Sequence, residues 1–156
     1  MPAAVRTDLH RQLAPYRKAH RDVRWTRPET WHLTLLFLGS VAPDRVPELR
    51  VLVGDVANQT EPYRAVIDKG DGRGRRKDGV AWVSLTDGAG ALIEAATLAA
   101  RECPPDISDG PPPKRTPSAH LTVVRKADEA VVRALRDQAF GQLGVSWRID
   151  RIQLIR

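Results

Sequence analysis

The tetrad His32-Leu33-Thr34-Leu35 returns later in the chain as His120-Leu121-Thr122-Val123, and both copies sit in apolar runs. The chain has four histidines, so half of them head matched His-x-Thr-apolar tetrads. Side chains alternate in direction along a strand, so a His and a Thr two apart share one face. Each tetrad thus presents one imidazole and one hydroxyl together, with the leucine between them turned the other way. Two such strands side by side would frame a cleft with two titratable rings and two hydroxyl donors. That suits acid–base chemistry at a phosphate. Phosphodiester cleavage takes a proton from the attacking oxygen and gives one to the leaving oxygen, and imidazole does either near neutrality. In-line displacement puts those two oxygens on opposite sides of phosphorus, matching two rings that face each other. The threonine hydroxyls then donate to the non-bridging oxygens that carry the charge. The scheme calls for no metal. A single His-x-Thr is commonplace on strands; its repetition in matching contexts is what carries weight.

The elements that must position these residues follow from periodicity. Val5, Leu9 and Leu13 form a helical stripe, which Pro15 is expected to end or kink. Val23–Trp25 reads as a short strand, Arg27-Pro28-Glu29 as a turn, and His32–Leu38 as a strand closed by Gly39. Pro43-Asp44 opens a helix with Val46, Leu49, Val53 and Val56 on one face. Tyr63–Ile67 and Val80–Leu85 alternate as strands, joined by the glycine-rich basic stretch Gly70–Gly79. Asp87 or Gly88 caps an alanine-rich helix to about Glu102, with Leu92, Ala96 and Ala99 inward. Pro104–Pro117 is too rich in proline and glycine for a regular element. His120–Val124 is the second tetrad strand, and Asp128–Leu143 a helix with Val131, Leu135 and Ala139 inward, stopped by Gly144. Val145–Ile155 is a closing strand. The order of elements makes 1–70 and 80–156 two pseudo-repeats of one domain, each carrying a tetrad.

Composition narrows the setting. A chain of 156 residues with net charge +6 suggests one domain with an anionic partner. Its one cysteine, Cys103, excludes a disulfide framework and a cysteine-rich zinc site. No apolar stretch reaches membrane-span length and no signal segment opens the chain, so a soluble cytoplasmic protein is expected.

Trp25-Thr-Arg-Pro28-Glu29-Thr-Trp31-His32-Leu33-Thr34-Leu35-Leu36-Phe37-Leu38-Gly39, followed by His120-Leu121-Thr122-Val123-Val124-Arg125, resembles the two-histidine phosphoesterase superfamily. Within it the chain is most similar to the RNA 2′,3′-cyclic phosphodiesterases, the 2′,5′ RNA ligase-like proteins. The resemblance implies an α+β fold: two pseudo-symmetric lobes of mainly antiparallel sheet, backed by helices, around a central groove. It implies hydrolysis of an RNA terminal 2′,3′-cyclic phosphate to a 2′-phosphate, with no cofactor and no metal. By motif position His32 is the proton donor and His120 the proton acceptor, and pseudo-symmetry leaves the reverse assignment chemically open. Thr34 and Thr122 hold the phosphate, and Arg125 adds charge to the site or the RNA path. The expected partner is RNA with a cyclic phosphate end, the expected state a monomer, with no membrane. Relatives usually open with an apolar strand before the first helix and continue past the closing strand; both are expected to be lacking here. Many have proline before the second His, where this chain has Ala119.

Three other readings separate by experiment. An RNA-binding module with a degenerate site would bind without turnover, its affinity falling steeply with salt. A related enzyme would act on a small cyclic nucleotide. A metal site on His32 and His120 has only two of four ligands in evidence. Arg73, Arg75, Arg76 and Lys77 either grip phosphates or solvate a loop. Gly72-Arg73-Gly74 does not lead a strand into a helix, so it is no dinucleotide fingerprint. The four tryptophans are read as core or groove-rim packing. Phe37, sharing the parity of Leu33 and Leu35, is read as core, and His10 and His20 as surface.

Overall fold

The computed structural model describes residues 1–73, 79–107, 119–127, 129, 132, 133, 136 and 144–155, with the backbone alone for 68–73. In order it contains α1 (Ala3–Ala19), β1 (Arg24–Trp25), α2 (Val46–Asn58), β2 (Tyr63–Arg73), β3 (Gly79–Asp87), α3 (Ala89–Glu102), β4 (His120–Ala127) and β5 (Val145–Ile149). Short 3-10 turns lie at Pro28–Thr30 and Pro43–Arg45. The five strands form one antiparallel sheet in the order β1-β4-β3-β2-β5. This is the expected α+β class with antiparallel strands backed by helices. No described helix is long and apolar enough to cross a membrane.

Alternation explains the sheet's inner face. Along β3, Ala81, Val83 and Leu85 are buried while Val80, Trp82 and Ser84 are half-buried on the other side. The inner row joins Leu9 and Leu13 of α1, Leu92 of α3, and Leu121, Val123 and Val124 of β4 in the main core. A second, smaller core lies between α2 and α3, where Leu49, Leu52 and Val56 meet Ala99 and Ile107. Each fully buried leucine there is worth about 2 kcal/mol. Arg45 closes the end of this cluster, reaching Glu48 at 2.6 Å and Asp106 at 3.3 Å.

Several elements depart from the periodicity. α1 runs through Pro15 to Ala19. Pro15 and Arg11, whose carbonyl loses its helical donor there, are both exposed, so water can serve that carbonyl. β2 extends to Arg73 and β3 starts at Gly79, narrowing the expected connection. Residues 74–78, which include Arg75, Arg76 and Lys77, lie outside the described residues. β5 ends at Ile149, and 150–155 add no strand; Ile152 packs on the α2–α3 core, while Leu154 and Ile155 are exposed. Of the expected helix over 128–143, Glu129, Val132, Arg133 and Arg136 are helical and Val132 is buried. Its expected inward positions Val131, Leu135 and Ala139 lie outside the described residues.

The first tetrad shows the largest difference. Trp31 to Leu35 alternates buried and exposed as a strand would, yet His32–Leu38 joins no ladder. Leu33 and Leu35 pack on the main core, whereas Leu36 and Leu38 pack on the α2–α3 core. A bend at Leu35 switches the segment from one core to the other. Serving two cores breaks the parity that a single ladder requires. The bend also overturns the reading of Phe37 as core: with Leu36 and Leu38 turned inward, Phe37 is 80% exposed.

Gly79 is required by close approach. A Cβ there would lie 1.5 Å from the Ala127 carbonyl oxygen on β4. Gly79→Ala is therefore expected to destabilise the fold by about 1–3 kcal/mol. Urea denaturation measures this as a lower midpoint with the slope kept.

Candidate functional site

β4 carries the second tetrad beside β3. His120 lies opposite Ser84, Thr122 opposite Trp82 and Leu121 opposite Val83. Cross-strand partners share a face, so His120, Thr122, Ser84 and Trp82 project from the outer side, away from the core. The His120 ring rests against the Trp82 indole with centroids 5.5 Å apart. Trp82 thus walls the imidazole on the side toward the middle of the sheet.

The register then slips. Ala81 pairs with Val124 where a regular ladder would bring Val123, so β4 holds one extra residue. Val123 and Val124 both sit in the core, fully buried. The slip carries Arg125 to the outer face, opposite Val80, with His120 and Thr122. Strict alternation from Thr122 would have pointed Arg125 into the core. A second slip follows at Gly79/Val80, and Lys126 there takes φ 58°.

His32 and Thr34 are exposed and turned away from Leu33 and Leu35. The His32 ring is fixed locally, with Nδ1 2.7 Å from the Thr30 carbonyl oxygen. A carbonyl only accepts, so Nδ1 carries the proton and Nε2 is left to act on a ligand.

One residue ties the two tetrads together. The Thr26 backbone N–H donates to the Val123 carbonyl at 2.9 Å. Its hydroxyl lies 3.0 Å from both the Thr122 and the Val123 carbonyl oxygens, to which it donates. The same hydroxyl accepts from the Trp31 indole N–H at 2.7 Å. Trp31, 3% exposed, immediately precedes His32. A single hydroxyl thereby links the backbone of the second tetrad to the residue that anchors the first. The sequence reading missed Thr26; its signal, a polar residue between Trp25 and the Arg27-Pro28 turn, is too common to single out.

The other candidates resolve plainly. Trp31 and Trp147 are core residues, Trp25 packs partly buried on the core, and Trp82 lies beside His120. His10 is half-buried rather than a surface residue. Its ring is tilted against Trp31 at 6.4 Å, and its buried Nδ1 has no partner among the described residues, because the helix face it occupies turns toward the first tetrad's anchor. Burial, then the nearby Glu48 charge, pushes the Cys103 thiol up, the wrong direction for a nucleophile. Glu48, Asp55 and Glu102 line a cleft of about 340 Å³ that includes no tetrad residue and has the wrong charge for a phosphate. Among the described residues no three His, Cys, Asp or Glu side chains cluster as a metal site.

The fold is shared with solved structures. TT0787 of Thermus thermophilus superposes with TM-score 0.70 at 20% identity, covering 96% of this chain and 80% of that one. Escherichia coli LigT complexed with 3′-AMP gives 0.62 at 24% identity, covering 95% and 78%. The same protein complexed with NADP+ gives 0.61 at 24% identity, covering 96% and 78%. A search of curated proteins finds no match to the sequence. The family model described as LigT like Phosphoesterase matches residues 2–82, which include the first tetrad and Trp82. With that match over half its length, the chain belongs to the LigT-like phosphoesterases, a two-histidine phosphoesterase family.

Proposed function

We propose that the protein hydrolyses the 2′,3′-cyclic phosphate at the end of an RNA strand to a 2′-phosphate, without a metal. The observation that carries this reading is the Thr26 link, which couples the backbone of the His120 tetrad to the anchor of the His32 tetrad. Two imidazoles held on one framework supply the acid and the base that in-line displacement needs. His32, held through Nδ1–H by the Thr30 carbonyl, enters the reaction as the imidazolium, gives its Nε2 proton to the leaving 3′ oxygen and ends neutral. His120 takes the proton of the attacking water. The bond from phosphorus to the 3′ oxygen breaks as the bond from water oxygen forms, so the phosphate stays on the 2′ oxygen. Thr34 and Thr122 donate to the non-bridging oxygens, and Arg125 offsets their charge. That Escherichia coli LigT is complexed with 3′-AMP in one structure and NADP+ in another supports a phosphorylated nucleotide as the ligand class.

The test is hydrolysis of a short RNA ending in a 2′,3′-cyclic phosphate, run in EDTA, with the product mapped. Turnover to a 2′-phosphate in chelator is the expected result. Binding without turnover would instead favour the RNA-binding reading, and turnover restricted to free cyclic nucleotides would move the substrate class.

A further inference from the structure

Trp82 is a large side chain that fills no core. Trp31 and Trp147 are buried in the main core and Trp25 packs against it, but among the described residues Trp82 joins neither core. It stands half-buried on the outer face of β3, between the inward Ala81 and Val83. An indole stabilises a fold by the apolar area it buries, so one set on the far side of the sheet from the core calls for a different reason. Across the ladder Trp82 lies opposite Thr122, and its ring sits 5.5 Å from that of His120 at an interplanar angle of 58°. It is thus placed beside both the hydroxyl and the imidazole of the second tetrad.

The backbone fixes where the His120 side chain starts and leaves its ring free to turn. His120 pairs with Ser84, and just before it the Leu85 N–H donates to the Ala119 carbonyl at 3.1 Å. Beyond that, χ1 has three staggered wells and χ2 of an imidazole is broad and roughly two-fold, which makes about six arrangements. They present different ring edges to the groove, and a base needs one nitrogen aimed at one place. The first tetrad meets this need with a hydrogen bond, from His32 Nδ1 to the Thr30 carbonyl. In the second, the tilted indole takes up space that other His120 arrangements would enter.

We propose that Trp82 is a positioning residue for His120, packed against the imidazole so that one ring nitrogen stays turned to the attacking water. This rests on the proposed reaction, in which His120 is the base. The indole exchanges no proton and forms no bond; it raises the share of molecules whose base is already aligned. Such a gain belongs to the rate of the chemical step and not to the binding of substrate. A phenyl ring at position 82 also offers a flat face to the imidazole and keeps most of the restraint. A methyl group is too short to reach it.

The experiment compares wild type with Trp82→Ala and Trp82→Phe, each also made in a His120→Ala background, on a short RNA ending in a 2′,3′-cyclic phosphate. From the count of ring arrangements, Trp82→Ala is expected to lower kcat about sixfold with KM little changed. Trp82→Phe should restore kcat to within about twofold of wild type. With His120 already alanine, Trp82→Ala should cost less than about twofold, because no ring is left to hold. An equal loss in both backgrounds, a loss that the phenyl ring does not restore, or an unchanged kcat overturns the proposal. A second measurement needs no turnover: carbethoxylation of His120 and His32 by diethyl pyrocarbonate, located by peptide mass mapping. Trp82→Ala should speed modification of His120 severalfold and leave the exposed His32 at its wild-type rate. Faster modification of both histidines would mean a generally loosened fold, and the positioning role falls. If wild type hydrolyses no cyclic phosphate, the hydrolase reading fails, and the modification arm still decides Trp82. Faster reaction at His120 alone upholds the held ring, and unchanged reaction removes it.

Discussion

Alanine at His32 or at His120 is expected to lower kcat on a cyclic-phosphate RNA by about 10²- to 10⁴-fold, with KM little changed. Each ring is assigned one proton transfer, so either loss leaves half of the acid–base pair without its partner. The double variant should be little worse than the poorer single one, because groups that act on one transition state do not contribute additively. Neither change should unfold the protein. His32 is exposed, and its ring bonds to the Thr30 carbonyl in the adjoining turn. His120 is half-buried against Trp82 and contributes no side chain to the core. Steady-state kinetics beside thermal denaturation check the result. An alanine variant that keeps kcat within about threefold of wild type, with its fold intact, removes that histidine from the chemistry.

Thr26→Val should have the next largest effect, and for a different reason. Valine keeps the β-branched shape but has no hydroxyl, so the Trp31 indole N–H and the Thr122 carbonyl lose a partner at a part-buried site. Leaving such groups unpaired costs about 1–3 kcal/mol each, and the backbone bond from Thr26 to Val123 remains to limit the damage. Trp31 and β4 then no longer share a hydrogen-bond partner, and His32 follows Trp31. A displacement of about 1 Å between reacting groups lowers rate by roughly 100-fold. A kcat loss of that order is expected, larger than any change in KM, with Thr26→Ser restoring most of it. Stability lost without loss of kcat would make Thr26 a fold residue and nothing more.

The parts of this architecture that one segment decides alone were legible in the sequence. α2, α3 and the alternating strands β2 and β3 each bury one face against one core, so their periodicity is undisturbed. The second tetrad was legible as a strand for the same reason. The first was not, because Leu33 and Leu35 answer to one core and Leu36 and Leu38 to another. Period counting assumes one buried face, so it carried the strand through to Leu38 and put Phe37 inside. The chemistry of the site could be read from residue types, since His and Thr two apart share a face in any extended chain, paired or not. What could not be read were the long-range bonds: Thr26 to residues 96 and 97 positions later, and Arg24 beside Arg125. Those depend on which strand neighbours which, and no local pattern states it.

The extra residue in β4 also has a meaning for spelling. A face shared by His120, Thr122 and Arg125 is written His-x-Thr-x-x-Arg, with a gap of one residue and then a gap of two. A regular strand would spell the same face with equal gaps. Two adjacent valines between hydroxyl and guanidinium are thus the written form of an irregular ladder. In a chain that places Thr and Arg only two apart, the same face could be built on unbroken pleating.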